Sequence, residues 1–70
     1  MTAKYYTHNK RGGLYEIITD SALLQCSTHQ EFEDLIEEQP WTVYRDVHSG
    51  SIYLRLTEEF YDGRFSEVPP

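Results

Sequence analysis

The sequence has little cysteine, little positive charge and no long apolar run. A single cysteine among 70 residues, Cys26, excludes an internal disulfide and weakly favours a reducing compartment. No Cys-x-x-Cys or His-x-x-x-His spacing occurs, so a structural zinc site is not expected. A chain this short buries only about 60% of the surface of its unfolded form. We expect its stability to come from the quality of the core, and we keep a homodimer open as a second source.

Apolar runs are short throughout the chain. None approaches the roughly 18 residues of a membrane span, and the start of the sequence, Met1 to Lys4, is polar. We therefore expect a soluble cytoplasmic protein without a signal peptide and without a membrane partner.

Negative charge dominates, with twelve acidic and six basic residues and a formal net charge of −6. Such a chain repels phosphate at long range and lacks the basic footprint of a duplex-binding domain. General nucleic-acid binding is therefore not expected, although a local basic patch stays open.

Aromatic and β-branched residues form several short runs bounded by turn signals. Six tyrosines, three phenylalanines and one tryptophan supply large packing surfaces. We predict that Tyr15 and Ile17 point inward, and that Trp41, Val43 and Arg45 share an inward face. The predicted strands are Tyr5–His8, Leu14–Thr19, Trp41–Val47, Ile52–Leu56 and Arg64–Val68.

One helix is predicted in the middle of the chain, from about Thr28 to Glu38. Thr28 and Glu31 fit a capping box, and Pro40 stops the helix. An apolar stripe follows helical spacing at Phe32, Leu35 and Ile36. The opposite face is acidic and consists of Glu31, Glu33, Asp34, Glu37 and Glu38.

These elements predict a mainly β fold with one short helix. The expected form is a small, SH3-like, partly open barrel made by residues 1–70 as one domain, with residues 69–70 as a flexible tail. The alternative is an α+β arrangement in which one helix packs on an antiparallel meander. A single helical turn capped by Thr57 is also expected before the last strand.

Several short motifs resemble a family of small bacterial and phage proteins of unknown function. The family begins with a Tyr-x-His-x-Lys-(Arg)-Gly-x-x-Tyr-x-Val pattern and closes with Trp-Val-Arg-Pro and Glu-x-Phe-x-Asp-Gly-Arg-Phe patterns. The corresponding segments here are residues 6–17, 24–28, 43–45, 53–56 and 59–65. Tyr53 replaces the family's tryptophan and Leu56 its proline. The resemblance implies an SH3-like fold and a phage or prophage origin, but no activity.

The stretch from His8 to Glu16 contains two cations and two glycines. A P-loop needs Gly-x-x-x-x-Gly-Lys-Ser/Thr between a strand and a helix, whereas here the cations precede the glycines and a strand follows. We interpret the stretch as a hairpin turn. An anion site formed by Lys10, Arg11 and backbone amides is the alternative.

Two arginines lie on predicted neighbouring strands. Arg45 is interpreted as the partner of Glu16 in a structural ion pair, since an unpaired buried charge is costly. The alternative is a groove in which aromatics and arginine stack a planar ligand or a peptide. The candidate groove residues are Tyr15, Tyr44, Arg45, Tyr53 and Arg55.

Catalysis and metal binding are not expected. His8, His29, His48 and Cys26 are scattered without ligand spacing. The pair Cys26 and His29 lacks an orienting acid and an oxyanion device.

Two functions of different classes follow. The first is a non-enzymatic binding module that recognises a host or phage protein segment, or a small planar anion, through the aromatic and arginine groove. The second is an acidic phage inhibitor that presents the Glu31–Glu38 face to a host defence or nucleic-acid enzyme. A sponge for a signalling nucleotide, formed by Lys10, Arg11 and the aromatics, is a related idea. No cofactor is expected.

Overall fold

The computed structural model describes residues 4–24 and 39–69. The strands are β1 (Tyr5–His8), β2 (Gly12–Leu23), β3 (Pro40–Asp46), β4 (Ile52–Leu56) and β5 (Phe65–Glu67), and the helix is α1 (Thr57–Phe60). The predicted helix from Thr28 to Glu38 lies outside the described residues.

All five strands form one antiparallel sheet in the order β4-β3-β2-β1-β5. The first four strands follow one another as a meander, and β5 returns to pair with β1. Within residues 4–24 and 39–69 the sheet is not closed, and β4 and β5 are its two edges. The predicted mainly β fold with one short helix is confirmed, as an antiparallel sheet that is not closed into a barrel in the described part of the chain. No helix within residues 4–24 and 39–69 is long and apolar enough to cross a membrane.

Strand β2 is the element that bends the sheet. It is twelve residues long, and its pairing with β3 is irregular between Ile17 and Thr19 and again between Thr19 and Ala22. Such irregularities bend a strand and increase its twist. In a flat sheet β3 and β5 would lie about 14 Å apart. The rings of Tyr44 on β3 and Phe65 on β5 are nevertheless only 5.6 Å apart, so the sheet curls around its inner face.

The core on this inner face is aromatic. Tyr6, Tyr44 and Phe60 are buried, and Phe60 is fully enclosed. Three partly buried side chains pack around them: Tyr15, Ile17 and Phe65. The ring of Phe60 stacks on Phe65 at 4.2 Å and meets Tyr6 edge-on at 5.2 Å. The predicted inward orientation of Tyr15 and Ile17 is confirmed.

The inward face predicted for β3 is wrong. Thr42 and Tyr44 are the buried residues of this strand, whereas Trp41, Val43 and Arg45 occupy the outer face and are half-buried. Apolar residues on β4 follow the same outer face, where Leu54 pairs with Val43. The alternation of the strand was correct, but tyrosine provides more contact area than valine, and its hydroxyl can reach the rim of the core.

The β3–β4 hairpin has the predicted strands and turn. Asp46 closes the turn, because its Oδ1 accepts hydrogen bonds from the backbone of His48 at 2.8 Å and of Ser49 at 3.1 Å. These two bonds lower the pKa of Asp46. Gly50 has a φ of 79°, a left-handed conformation that favours glycine at this point of the turn.

Helix α1 is the expected single turn, but Thr57 does not cap it. Thr57 is the first helical residue, and Leu56 stands before it without a side-chain cap. The Thr57 hydroxyl instead donates to the backbone carbonyl of Asp20 at 2.7 Å and lies 3.0 Å from the buried Thr42 hydroxyl. This contact joins α1 to β2 and β3 and holds Phe60 over the core.

Candidate functional site: a cationic pocket beside an aromatic cleft

Two turns meet at one end of the sheet. The first follows β1, and the second covers residues 61–64 between α1 and β5. Because β1 and β5 are antiparallel, with His8 opposite Phe65, the end of β1 and the start of β5 lie side by side. A hydrogen bond from Asn9 to Gly63 joins the two turns, although these residues are 54 positions apart in the sequence.

Asn9 fastens the two turns together. Its backbone amide donates to the carbonyl of Arg64 at 2.9 Å, and its side-chain Nδ2 donates to the carbonyl of Gly63 at 2.8 Å. Its Oδ1 accepts from the Ser66 hydroxyl at 2.7 Å. Three hydrogen bonds from one residue give this end of the sheet a defined geometry.

His8 shapes the first turn from within. Its Nδ1 accepts hydrogen bonds from the backbone amides of Lys10 at 3.2 Å and Arg11 at 3.0 Å. A neutral imidazole that accepts at Nδ1 carries its proton on Nε2. The pKa of His8 is lowered, first by burial and then by the positive charges of the surrounding arginines and Lys10. Neutral His8 is therefore the form that fits this turn.

The hydrogen bonds to His8 bear on the predicted anion site of Lys10, Arg11 and backbone amides. The amides of Lys10 and Arg11 donate to His8, and that of Arg64 donates to Asp62 Oδ1 at 3.3 Å. These amides are therefore engaged within the protein. An anion at this place would be held by side-chain cations.

A pocket of about 570 Å³ opens between the two turns. It contains four of the six lysine and arginine side chains of the chain. Among the described lining residues the one carboxylate is that of Asp62, which already pairs with Arg64 at 3.1 Å. The lining residues are His8, Asn9, Lys10, Arg11, Arg55, Asp62, Gly63 and Arg64. A chain with a net charge of −6 thus concentrates most of its positive charge in one concavity.

A narrower cleft of about 130 Å³ adjoins this pocket and shares His8, Arg11 and Arg55 with it. Aromatic rings supply the rest of the cleft wall. Its further lining residues are Tyr15, Tyr44, Tyr53 and Phe65. Tyr53 is 45% exposed, so an aromatic face is available at the mouth of the cleft.

Arg55 links the pocket and the cleft. Its Nε donates to the Tyr44 hydroxyl at 3.5 Å, and its guanidinium lies 5.9 Å from the centre of the Phe65 ring. The hydrogen bond to Tyr44 is the main cause that raises the pKa of Arg55. Glu59 lies 3.9 Å away, at the limit of an ion pair. Arg55 is therefore held in place by aromatic neighbours while its charge is only partly compensated.

Seven residues were predicted to bind a ligand: five in the groove, and Lys10 and Arg11 at the turn. The structure brings six of them together. Arg45 is the exception. It lies on the outer face of β3, where its guanidinium pairs with Glu16 at 2.6 Å. This bond raises the pKa of Arg45. The structural ion pair predicted from the sequence is present.

The acidic partner face cannot be placed, because Glu31, Glu33, Asp34, Glu37 and Glu38 lie outside the described residues. Cys26 and His29 also lie outside them. Of the acids near the C-terminal end, Glu59 and Asp62 lie against Arg55 and Arg64.

Sequence reasoning missed His8, Asn9, Asp62, Arg64 and Phe65 as parts of the site. The sequence did contain one indication of Asp62 and Arg64, because an Asp-Gly-Arg turn precedes the last strand. The pairing of β5 with β1, which carries this turn to the first one, was not predicted from the sequence.

No group of three or more histidine, cysteine or acidic side chains within residues 4–24 and 39–69 could hold a metal ion. The described pocket offers cations and one amide, which suit an anionic ligand. Comparisons with protein-family models, curated proteins and solved structures found no match to the chain.

Proposed function

We propose that this protein is a non-enzymatic binding module that holds a small planar anion in the cationic pocket and the adjoining aromatic cleft. The observation that carries the proposal is the gathering of Lys10, Arg11, Arg55 and Arg64 around one concavity. The volume of this concavity falls in the usual range of ligand pockets, about 300–1,000 Å³.

The charge distribution supports a small ligand over a polyanion. An extended nucleic acid would meet the negative charge that dominates the chain, whereas a small anion interacts mainly with the local cations. Lys10 and Arg11 are not paired with a carboxylate in the described chain, so their charge is available to a ligand. Binding should therefore be selective for anions that fit within the pocket.

The chemistry of the pocket supports binding more than catalysis. Its described side chains are four cations, one amide, His8 and a carboxylate already paired with Arg64. His8 uses Nδ1 to hold the turn. A nucleophile aligned with a base, which covalent catalysis requires, is not among these lining groups.

The sequence motifs that resemble the family of small bacterial and phage proteins also contribute residues to the pocket and the cleft. The first contributes His8, Lys10 and Arg11, and the last contributes Asp62 to Phe65. The second-last contributes Tyr53 and Arg55. We extend the proposal to a bacterial or phage protein that acts in the host cytoplasm. A protein segment as ligand, a homodimer and the acidic inhibitor remain predictions, the last because its face lies outside the described residues.

A thermal-shift and NMR titration with planar anions tests the proposal. The panel contains aromatic carboxylates and nucleoside phosphates at millimolar concentration. We expect at least one class to raise the melting temperature and to shift the amide signals of residues 8–11 and 62–64. Lys10→Gln should weaken binding, while Lys4→Gln, an equal charge change outside the pocket, should not. If no planar anion produces a shift, the proposal is wrong.

A further inference from the structure

The site has two compartments of different chemistry that share a wall. The larger one lies between the turns and is cationic, whereas the narrower one is lined by rings. Arg11 and Arg55 belong to both, so one ligand can occupy the two compartments without crossing a barrier of protein. A ligand that uses both compartments must be anionic at one end and flat at the other.

The cationic end fits phosphate groups. Three of its four cations are arginines, and a guanidinium offers a planar fork that matches two oxygens of a phosphate. Lys10 and Arg11 are unpaired in the described chain, and Arg55 is 3.9 Å from its nearest carboxylate. Several positive charges remain to be balanced there, which favours a ligand with two or more negative charges.

The ring-lined end fits a nucleobase. Tyr53 is 45% exposed at the mouth of the cleft. The centre of its ring lies 5.8 Å from that of Tyr44, and the two ring planes are inclined by 33°. Arg55 lies beside the rings and can contribute a cation–π contact. Tyrosine and arginine together are the usual stacking surface for an unpaired base.

We propose that the ligand is a nucleoside diphosphate or a related nucleotide with at least two phosphates. Its phosphates lie among Lys10, Arg11 and Arg64, and its base stacks on Tyr53. This inference rests on the proposed function and specifies its ligand. A free pyrophosphate would use the cationic compartment alone, and a nucleoside would use the cleft alone.

Isothermal titration calorimetry with four probes distinguishes these cases: ADP, GDP, inorganic pyrophosphate and adenosine. We expect at least one diphosphate to bind about 5- to 150-fold more tightly than pyrophosphate, which is the contribution of one stacked base. Tyr53→Ala should reduce that diphosphate to the level of pyrophosphate and leave pyrophosphate unchanged. Tyr53→Phe keeps the ring and should retain binding. Lys10→Gln should weaken both ligands, and Lys4→Gln neither.

Three results would speak against the inference, and they separate it from the proposed function. Equal affinity for pyrophosphate and the diphosphates, unaffected by Tyr53→Ala, removes the stacking site and leaves an anion pocket. Binding of aromatic carboxylates without binding of nucleotides overturns the inference and leaves the proposed function standing. No binding of any planar anion by folded protein overturns both.

Discussion

Phe60 should be the most sensitive apolar position in the described chain, and its replacement tests which face of the sheet is the core. Its side chain is fully buried. Its ring lies 4.2 Å from Phe65, 5.1 Å from Tyr44 and 5.2 Å from Tyr6. Phe60→Ala removes these contacts and leaves a cavity, which costs about 3–5 kcal/mol in comparable cores. A domain of this size has a free energy of unfolding of roughly 4–10 kcal/mol, so the variant should be marginal or unfolded.

Leu54→Ala is the matched control on the other face. Leu54 is 57% exposed and lies on the outer face of β4. Removing a side chain that is mostly in water should cost about 1 kcal/mol or less. Phe60→Leu retains an apolar side chain at the core position and should cost about 1–2 kcal/mol, less than the alanine variant.

Urea denaturation followed by circular dichroism measures all three variants. With a slope of about 1 kcal/mol per molar for a domain of this size, Phe60→Ala should lower the midpoint by about 3 M or abolish the transition. Leu54→Ala should lower it by less than about 1 M. If Leu54→Ala proved as costly as Phe60→Ala, the apolar outer face would be buried, and the assignment of the core to the aromatic face would be wrong.

The remaining predictions concern two hydrogen-bonding residues, Thr42 and His8. Thr42→Val keeps the shape of a fully buried side chain but removes its 3.0 Å contact with the Thr57 hydroxyl, so it should cost about 1 kcal/mol in the same assay. No loss of stability would show that this contact does not stabilise the fold. The lowered pKa of His8 means that the folded state binds its proton less readily than the unfolded state, whose value is near 6.5. The free energy of unfolding should therefore decline as the pH falls through 6.5. His8→Gln should reduce this decline. If the variant and the unchanged protein lost stability equally over this pH range, the prediction would be wrong. In NMR titrations, Arg11→Gln should raise the pKa of His8, because it removes a neighbouring positive charge.

The β3–β4 hairpin shows which structural features can be predicted from a local sequence pattern. Alternating residues around His48 to Ser51 predicted both strands and the turn, because strand propensity and turn chemistry are properties of neighbouring residues. The same alternation placed Trp41, Val43 and Arg45 on one face, and Val43 pairs with Leu54 in the sheet. It could not decide which face is buried, since burial depends on where β1, β5 and α1 come to lie.

In the candidate site too, the sequence indicated several of the residues, whereas only the structure shows how they are arranged. The sequence indicated Lys10 and Arg11 as an anion site at the turn, because two cations adjoin two glycines. It indicated Tyr15, Tyr44, Tyr53 and Arg55 as parts of a groove of aromatics and arginine. Their gathering at the pocket and its adjoining cleft became visible only in the structure. For His8 the sequence indicated only the lack of metal-ligand spacing, because a lone histidine in a sequence does not show that its Nδ1 accepts from the following turn.

By itself the sequence determined the charge of the chain, the absence of an internal disulfide, the alternation within strands and the position of the turns. These follow from composition or from contacts between residues close in the chain. The tertiary structure alone decided that β5 returns to β1 and that β2 bends. Both depend on contacts between distant residues, and they move Arg64 and Phe65 beside His8 and Arg11. The cationic pocket exists because of that return, in a chain whose overall charge is negative.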